Sequence, residues 1–280
     1  MPDIVIHVVA SALYAALALH FWNTRLRARP EGSPAASAGL RGWERAALLV
    51  PIALHGILLY AEMFATNELR FGFAYALSAM LWLTVLFYWV ENFYYELASM
   101  QSPVLLVAAL TVPLPALFPG LASAGTYAAS VAFRLHLVLA MLAYSLFTIA
   151  ILHALLMAVV ERRLHQRAGA AGAGMGALPP LLTLEQLLFR LIGAAFVLLT
   201  LTLATGFAFS KTLFGRAMRF DHKTVFAVLS WLTFGWLLAG RWLYGWRGRT
   251  ALRWTMTGFV LLILAYVGSR FVLEVILGRT

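Results

Sequence analysis

Eight stretches of the chain, 4–22, 45–64, 71–90, 103–118, 133–160, 187–209, 222–242 and 252–275, are apolar over or near the length a helix needs to cross a bilayer, about 20 residues, and charge gathers between them. This pattern predicts an all-α fold, a polytopic bundle of about eight transmembrane helices forming one membrane domain over 1–280. The fourth stretch is short and carries Pro103, Pro113, Pro115 and Pro119. Proline lacks an amide hydrogen and clashes with the preceding turn, so a kinked, tilted or partly re-entrant span is expected there. Two runs, 28–39 and 168–176, read as flexible linkers that separate no independent cores. The proline-broken fourth stretch has no counterpart in the eighth, which weakens a transporter reading based on inverted repeats.

Composition agrees with the pattern. The chain is 62% hydrophobic and 11% charged, against roughly 45–50% and 25% in soluble domains, so it is an integral membrane protein. Its formal charge of +10 therefore points to lipid headgroups and insertion topology as partners, and not to nucleic acid. Asp3 precedes the first stretch while Arg25, Arg27 and Arg29 follow it, which is not the charge order of a secretory signal. Thirteen of the 21 basic residues fall in odd-numbered loops and adjoining helix ends. By the positive-inside rule those loops are cytoplasmic and both termini lie outside. The third loop, "ENFYYELASM" (91–100), dissents with two glutamates and no basic residue. There is no cysteine, which excludes disulfides, thiolate metal sites and thiol-linked haem attachment. Any metal chemistry must use histidine and oxygen.

Ionisable groups inside spans cost roughly 2.5–3.5 kcal/mol each at mid-helix, which makes each a functional hypothesis. His55, His136, His153 and His222 stand out on this ground. His7, His20 and His165 lie near ends or in a loop, where a solvated imidazole is expected. His55 sits mid-way along the second stretch with Glu62 two turns further; helix–helix hydrogen bonding explains it as well as function does. His153 is seventeen residues beyond His136, about 25 Å along a helix, so the two cannot share one iron, and packing is the favoured role for His153. His136 opens the fifth stretch and His222 the seventh, both on the outer side of the expected topology. Two imidazoles at one depth are what a six-coordinate haem iron takes. The alternatives stay open: Asp221 N-caps the seventh helix while His222 and Lys223 meet the interface, and His136 is an interfacial histidine near Arg134. Arg134, Lys211, Arg216, Arg219, Lys223 and Arg270 gather on that same face, against Asp221. Haem propionates or lipid phosphates would both satisfy such a cluster, while Arg270 has an internal partner in Glu274 four residues on. Trp231, Trp236, Trp242, Trp246 and Trp254 read as interfacial anchors.

The stretch 184–272, with its Gly, Phe and Leu-Leu-Thr pattern and "GWRG", together with "HLVLAMLAY" (136–144), resembles the cytochrome c assembly family of haem-handling membrane proteins, most of all its short eight-span branch. The resemblance implies an outward histidine at His136 as one axial ligand of haem. It also aligns "FDHKT" (220–224) with the end of the family's Trp-Asp-Pro-Lys-Glu pattern, so that Phe220, Asp221 and Lys223 keep its outline and His222 stands where the proline would be. This chain departs from the family elsewhere: "GFAFSKTLFGRAMRF" (206–220) has no tryptophan, "LLAGR" replaces a histidine in span seven, and "FVLEVILGRT" lacks the second outward ligand. His222 is the candidate replacement for that ligand.

The expected function is haem binding or presentation at the outer face of a bacterial cytoplasmic membrane in support of cytochrome c assembly. Its haem would be held by His136 and His222 and flanked by Arg134, Arg219, Lys223 and Asp221, with other maturation proteins as partners. An alternative is an accessory or permeation subunit for a small ion such as a divalent cation, with His55, Glu62 and His153 as polar stepping points. A scaffold that recruits membrane proteins through its aromatic surface is a third. No paired-carboxylate cluster, HExxH, Ser-His-Asp arrangement or P-loop supports a hydrolase or an ATPase.

Overall fold

The computed structural model describes residues 2–26, 40–64, 69–95, 97, 100–119, 122–123, 130–167, 181–214 and 221–278; both expected linkers lie outside them. The chain is all-α, with helices α1 (Pro2–Phe21), α2 (Gly42–Phe64), α3 (Phe73–Glu91), α4 (Gln101–Thr111), α5 (Leu114–Leu117), α6 (Val131–Arg167), α7 (Leu181–Phe214), α8 (His222–Tyr244) and α9 (Gly248–Ile263). α9 continues through two π-type turns to Ile276, and a π-type turn, Trp22–Leu26, extends α1. Among the described residues seven helices are long and apolar enough to cross a membrane, and Gln101–Leu117 is a shorter apolar helix. Among the described residues two two-residue strands pair antiparallel, Leu69↔Ser123 and Arg70↔Ala122, between α2 and α3 and between α5 and α6.

α1 to α4 pack on one another, α6 to α9 do likewise, and α3 against α6 joins the two groups. Each group has its own apolar core: Tyr14, Phe21, Leu48, Tyr88 and Leu105 in the first, and Phe147, Leu188, Ile192 and Phe234 in the second. Phe147 and Phe234 stack with ring centroids 3.9 Å apart. Successive helices run antiparallel, so the bundle has two faces. His7 meets Glu62, Phe73 meets Glu274 and His136 meets Thr205 on the amino face, where the chain begins. Arg25 meets Glu44, Arg45 meets Asn92 and Arg241 meets Glu185 on the opposite, arginine-rich face.

The fourth span breaks between α4 and α5. Pro113 has no amide hydrogen to offer Ala109, four residues back, and no water can replace it in a bilayer. Ser11 of α1 fills the gap, its Oγ donating to the Ala109 carbonyl at 2.7 Å. One turn earlier on α1, His7 Nδ1 donates to the Val112 carbonyl at 2.7 Å. The face of α1 that carries these two polar groups otherwise shows Ala10, Tyr14 and Ala18, all buried, so the helices can approach closely.

On the same amino face, the Glu274 carboxylate accepts the Phe73 amide hydrogen at 3.3 Å and supplies negative charge at the N-terminus of α3. Gly72 permits this approach, since a Cβ there would stand 2.7 Å from Glu274 Oε2. The expected Arg270 pairing is present at 3.9 Å.

The proline break gives a double-mutant test. Ser11→Ala orphans a buried carbonyl and should cost about 1–2 kcal/mol, above the ~0.6 kcal/mol average of intramembrane polar contacts. In a Pro113→Ala background the restored amide supplies that carbonyl, and the cost of Ser11→Ala should fall below about 0.5 kcal/mol. Thermal unfolding in detergent measures both, and equal costs in the two backgrounds would refute the assignment.

Candidate functional site

His136 stands in the second turn of α6, half-buried, with its ring against α7. Gly206 makes room for it: a Cβ there would lie 3.3 Å from His136 Cε1. His136 Nδ1 is 3.0 Å from Thr205 Oγ1. The Thr205 hydroxyl hydrogen points back along its own helix, to the carbonyl of Leu201 at 2.8 Å or Thr202 at 3.0 Å. With that hydrogen given to a backbone carbonyl, Oγ1 can accept from His136 Nδ1, the tautomer that leaves the Nε2 lone pair free. A hydrogen bond that fixes one ring nitrogen as donor is how proteins orient the other to bind a metal.

His222 is the first residue of α8 and is exposed. Asp221, just before it, is the N-cap: its Oδ1 accepts the Thr224 amide at 3.0 Å and the Thr224 hydroxyl at 3.2 Å. The capping alternative thus holds for Asp221, and the cap sets the height at which His222 leaves the bundle. Trp231 Nε1 donates to Thr200 at 2.8 Å, which fixes α8 against α7. Counting nine residues from Trp231 to His222 and five from Thr200 to Thr205, at about 1.5 Å each, puts His222 about one helical turn further out than His136 on the amino face. Lys223 is half-buried and feels the charges of Arg270, Asp221 and Glu274; Arg134 is exposed on α6. Arg219 lies outside the described residues.

The other histidines divide differently from the sequence expectation. His7, expected as a solvated imidazole, is 2% exposed, with Nδ1 on the Val112 carbonyl and Nε2 2.5 Å from Glu62 Oε1. The correction has a physical cause: the α4 break needs a donor, and α1 crosses it at His7. His20 is partly exposed and 3.2 Å from Glu44. His55 is buried and bonds Ser78 Oγ at 2.8 Å, with Tyr14 edge-on to its ring. His153 is fully buried, with Nδ1 on the Ile149 carbonyl at 2.8 Å and Nε2 3.7 Å from Glu91. Thus His55, Glu62 and His153, grouped in the permeation alternative, each turn to a different partner. Among the described residues no three His, Asp or Glu side chains converge as a metal site. His7, Glu44, Glu91 and Glu185 are buried ionisable groups that sequence reasoning missed. The i, i+4 spacing of His7 and Ser11 on an apolar helix was the readable signal for the first.

The profile of the Cytochrome C assembly protein family matches residues 44–277, from α2 into the last turns of α9. The inner membrane protein YpjD of Escherichia coli is 36% identical over 141 residues, 50% of this chain and 52% of its own length, so the chain spans about half the length of these curated relatives. An uncharacterised 28.8 kDa protein of Azospirillum brasilense is 33% identical over 209 residues, 72% of this chain and 76% of that one. The cytochrome c biogenesis protein CcsA of Nostoc punctiforme is 34% identical over 86 residues, 31% of this chain and 24% of its own. No solved structure matches the chain.

The His7–Glu62 pair carries a prediction of its own. Because His7 Nδ1 donates to a carbonyl, one further proton must lie between Nε2 and Oε1. Glu62→Gln keeps a donor toward Nε2 and should shift stability by less than about 0.5 kcal/mol, whereas Glu62→Leu strands a buried ring nitrogen at about 1–3 kcal/mol. Unfolding midpoints of the two variants decide it; an equal loss in both means that the pair depends on full charge separation.

Proposed function

The chain belongs to the cytochrome C assembly protein family, and from that premise we propose that it handles haem in support of cytochrome c assembly, holding it on the amino face between His136 and His222. The observation that carries this reading is the 3.0 Å contact between His136 Nδ1 and Thr205 Oγ1: with Nδ1 as the donor, Nε2 is left to bind iron. His136 and His222, about one helical turn apart in height on the same face, would be the two imidazoles that hold a haem iron. His222 replaces the outward ligand that the family carries beyond the last span. Asp221 is a positioning residue, its carboxylate spent on the α8 cap. Arg134, Lys223 and Arg219 are the cations toward which propionates would turn. The chain's part is binding and orientation, while covalent attachment falls to a partner, since the sequence holds no cysteine and no P-loop.

The amino face would lie outside a bacterial inner membrane. Arg25, Arg45, Arg162, Arg241, Arg247, Arg249 and Arg253 all belong to the opposite end of the bundle, as the positive-inside rule asks of a cytoplasmic side. The YpjD relative is named an inner membrane protein, which supports the choice of membrane.

Protein purified after expression with ample haem should show a Soret band. His136→Ala and His222→Ala should each abolish it, and Thr205→Val, which keeps the shape but removes the acceptor, should weaken haem affinity about 10–100-fold. Haem-free wild-type protein, or a band indifferent to both histidines, refutes the proposal.

A further inference from the structure

α6 and α9 run antiparallel, and at the arginine-rich face a hollow of about 340 Å³ opens between them, lined by Ala158, Glu161, Arg162, Arg249, Leu252 and Arg253. Arg253 also walls a second hollow of about 320 Å³ beside Thr250, Trp254 and Thr257. Three guanidinium groups thus meet a single carboxylate, and that contact is loose: Glu161 Oε1 is 3.6 Å from Arg249 Nε, with Arg249 73% exposed. Elsewhere on this face arginines are matched closely, as where Arg241 and Arg247 hold the buried Glu185 at 2.6 and 3.3 Å. Among the described residues no ion pair engages Arg162 or Arg253. The local excess of about two positive charges suits a phosphate-bearing anion, which guanidinium groups bind through paired hydrogen bonds.

What lies next to the hollow says which kind. On α6, exposed Leu155 and Val159 continue the line of Arg162 into the membrane; on α9, exposed Met256 and Val260 continue the line of Arg249 and Arg253. Both lines follow helical i, i+3 and i, i+4 steps. Each line presents exposed apolar side chains between the arginines and the middle of the bilayer, one on each of the two helices that wall the hollow. Trp254, stacked on Trp246 at 6.0 Å and 8°, flanks it at the depth where aromatic rings mark the headgroup level. A free phosphate has no use for such apolar lines, whereas acyl chains do.

We propose that this hollow is a binding site for an anionic phospholipid of the leaflet on the arginine-rich face. Its phosphate sits among Arg162, Arg249 and Arg253, and its acyl chains lie along Leu155, Val159, Met256 and Val260. The site stands apart from His136 and His222 at the other face, and neither proposal depends on the other.

The full-length chain in detergent, titrated with phosphatidylglycerol or phosphatidylcholine and read by native mass spectrometry, tests this. Phosphatidylglycerol should bind and phosphatidylcholine should not compete. At about 1 kcal/mol per basic residue, Arg249→Gln with Arg253→Gln should weaken binding about thirtyfold, and Arg162→Gln, on the other wall, about fivefold. Glu161→Gln should strengthen it, an outcome that a purely structural role for the cluster does not give. Affinity unchanged in the arginine variants, or equal for the two lipids, overturns the site. Displacement of phosphatidylglycerol by millimolar inorganic phosphate overturns the lipid as its ligand.

Discussion

Inside a bilayer a backbone carbonyl without a donor finds no water to replace it, and Pro113 creates one such carbonyl by its chemistry alone. The arrangement of the first four helices follows from how that deficit is met. Ser11 bonds Ala109 and His7 bonds Val112, so α1 must lie along α4 in one register. His7 then reaches Glu62, and this brings the end of α2 to the same place. Apolar packing among α1 to α4 tolerates several rotations of each helix; these three polar contacts select one. The second helix group has no such proline break among the described residues, and there the fit of Phe147, Phe234 and their neighbours acts together with hydrogen bonds from Tyr144 to the Leu262 carbonyl, Ser230 to the Gly258 carbonyl and Trp231 to Thr200.

Hydropathy revealed the number and order of the spans because crossing length is a property of local sequence. The proline-rich fourth stretch was readable as a broken span for the same reason. Helix ends were less visible: α6 runs to Arg167 and α7 begins at Leu181, beyond the apolar stretches, since a helix that leaves the bilayer continues on polar residues that hydropathy does not register. Partnerships across helices were mostly hidden. His7 sits near a terminus, where exposure is the ordinary expectation, and only the fold shows that α4 covers it. Glu91 reads as part of a loop, yet it closes α3 against His153. By contrast, Asp221 as a cap and Arg270 with Glu274 were legible because each involves neighbours in the chain.

His136 illustrates how a family fold and a specific site separate. Its place on α6 follows from the span order, whereas the proposed freeing of Nε2 depends on Thr205, 3.0 Å from Nδ1, and the room for the ring comes from Gly206. Neither is apparent from His136 alone. The aligned "FDHKT" segment keeps an acid for the helix cap, and at the position after it the chain has an imidazole. Substitution at a capped helix start changes chemistry with little demand on the fold, because the cap and not the side chain at the first helical position holds the backbone.

The Glu274 carboxylate that closes the start of α3 is 201 residues away from Phe73 along the chain. At synthesis rates of about 5–20 residues per second, roughly 10–40 s separate the two on the ribosome. The start of α3 therefore gains its carboxylate only after the eighth span has been made, and the turn that carries Glu274 acts as a latch between early and late parts of the bundle.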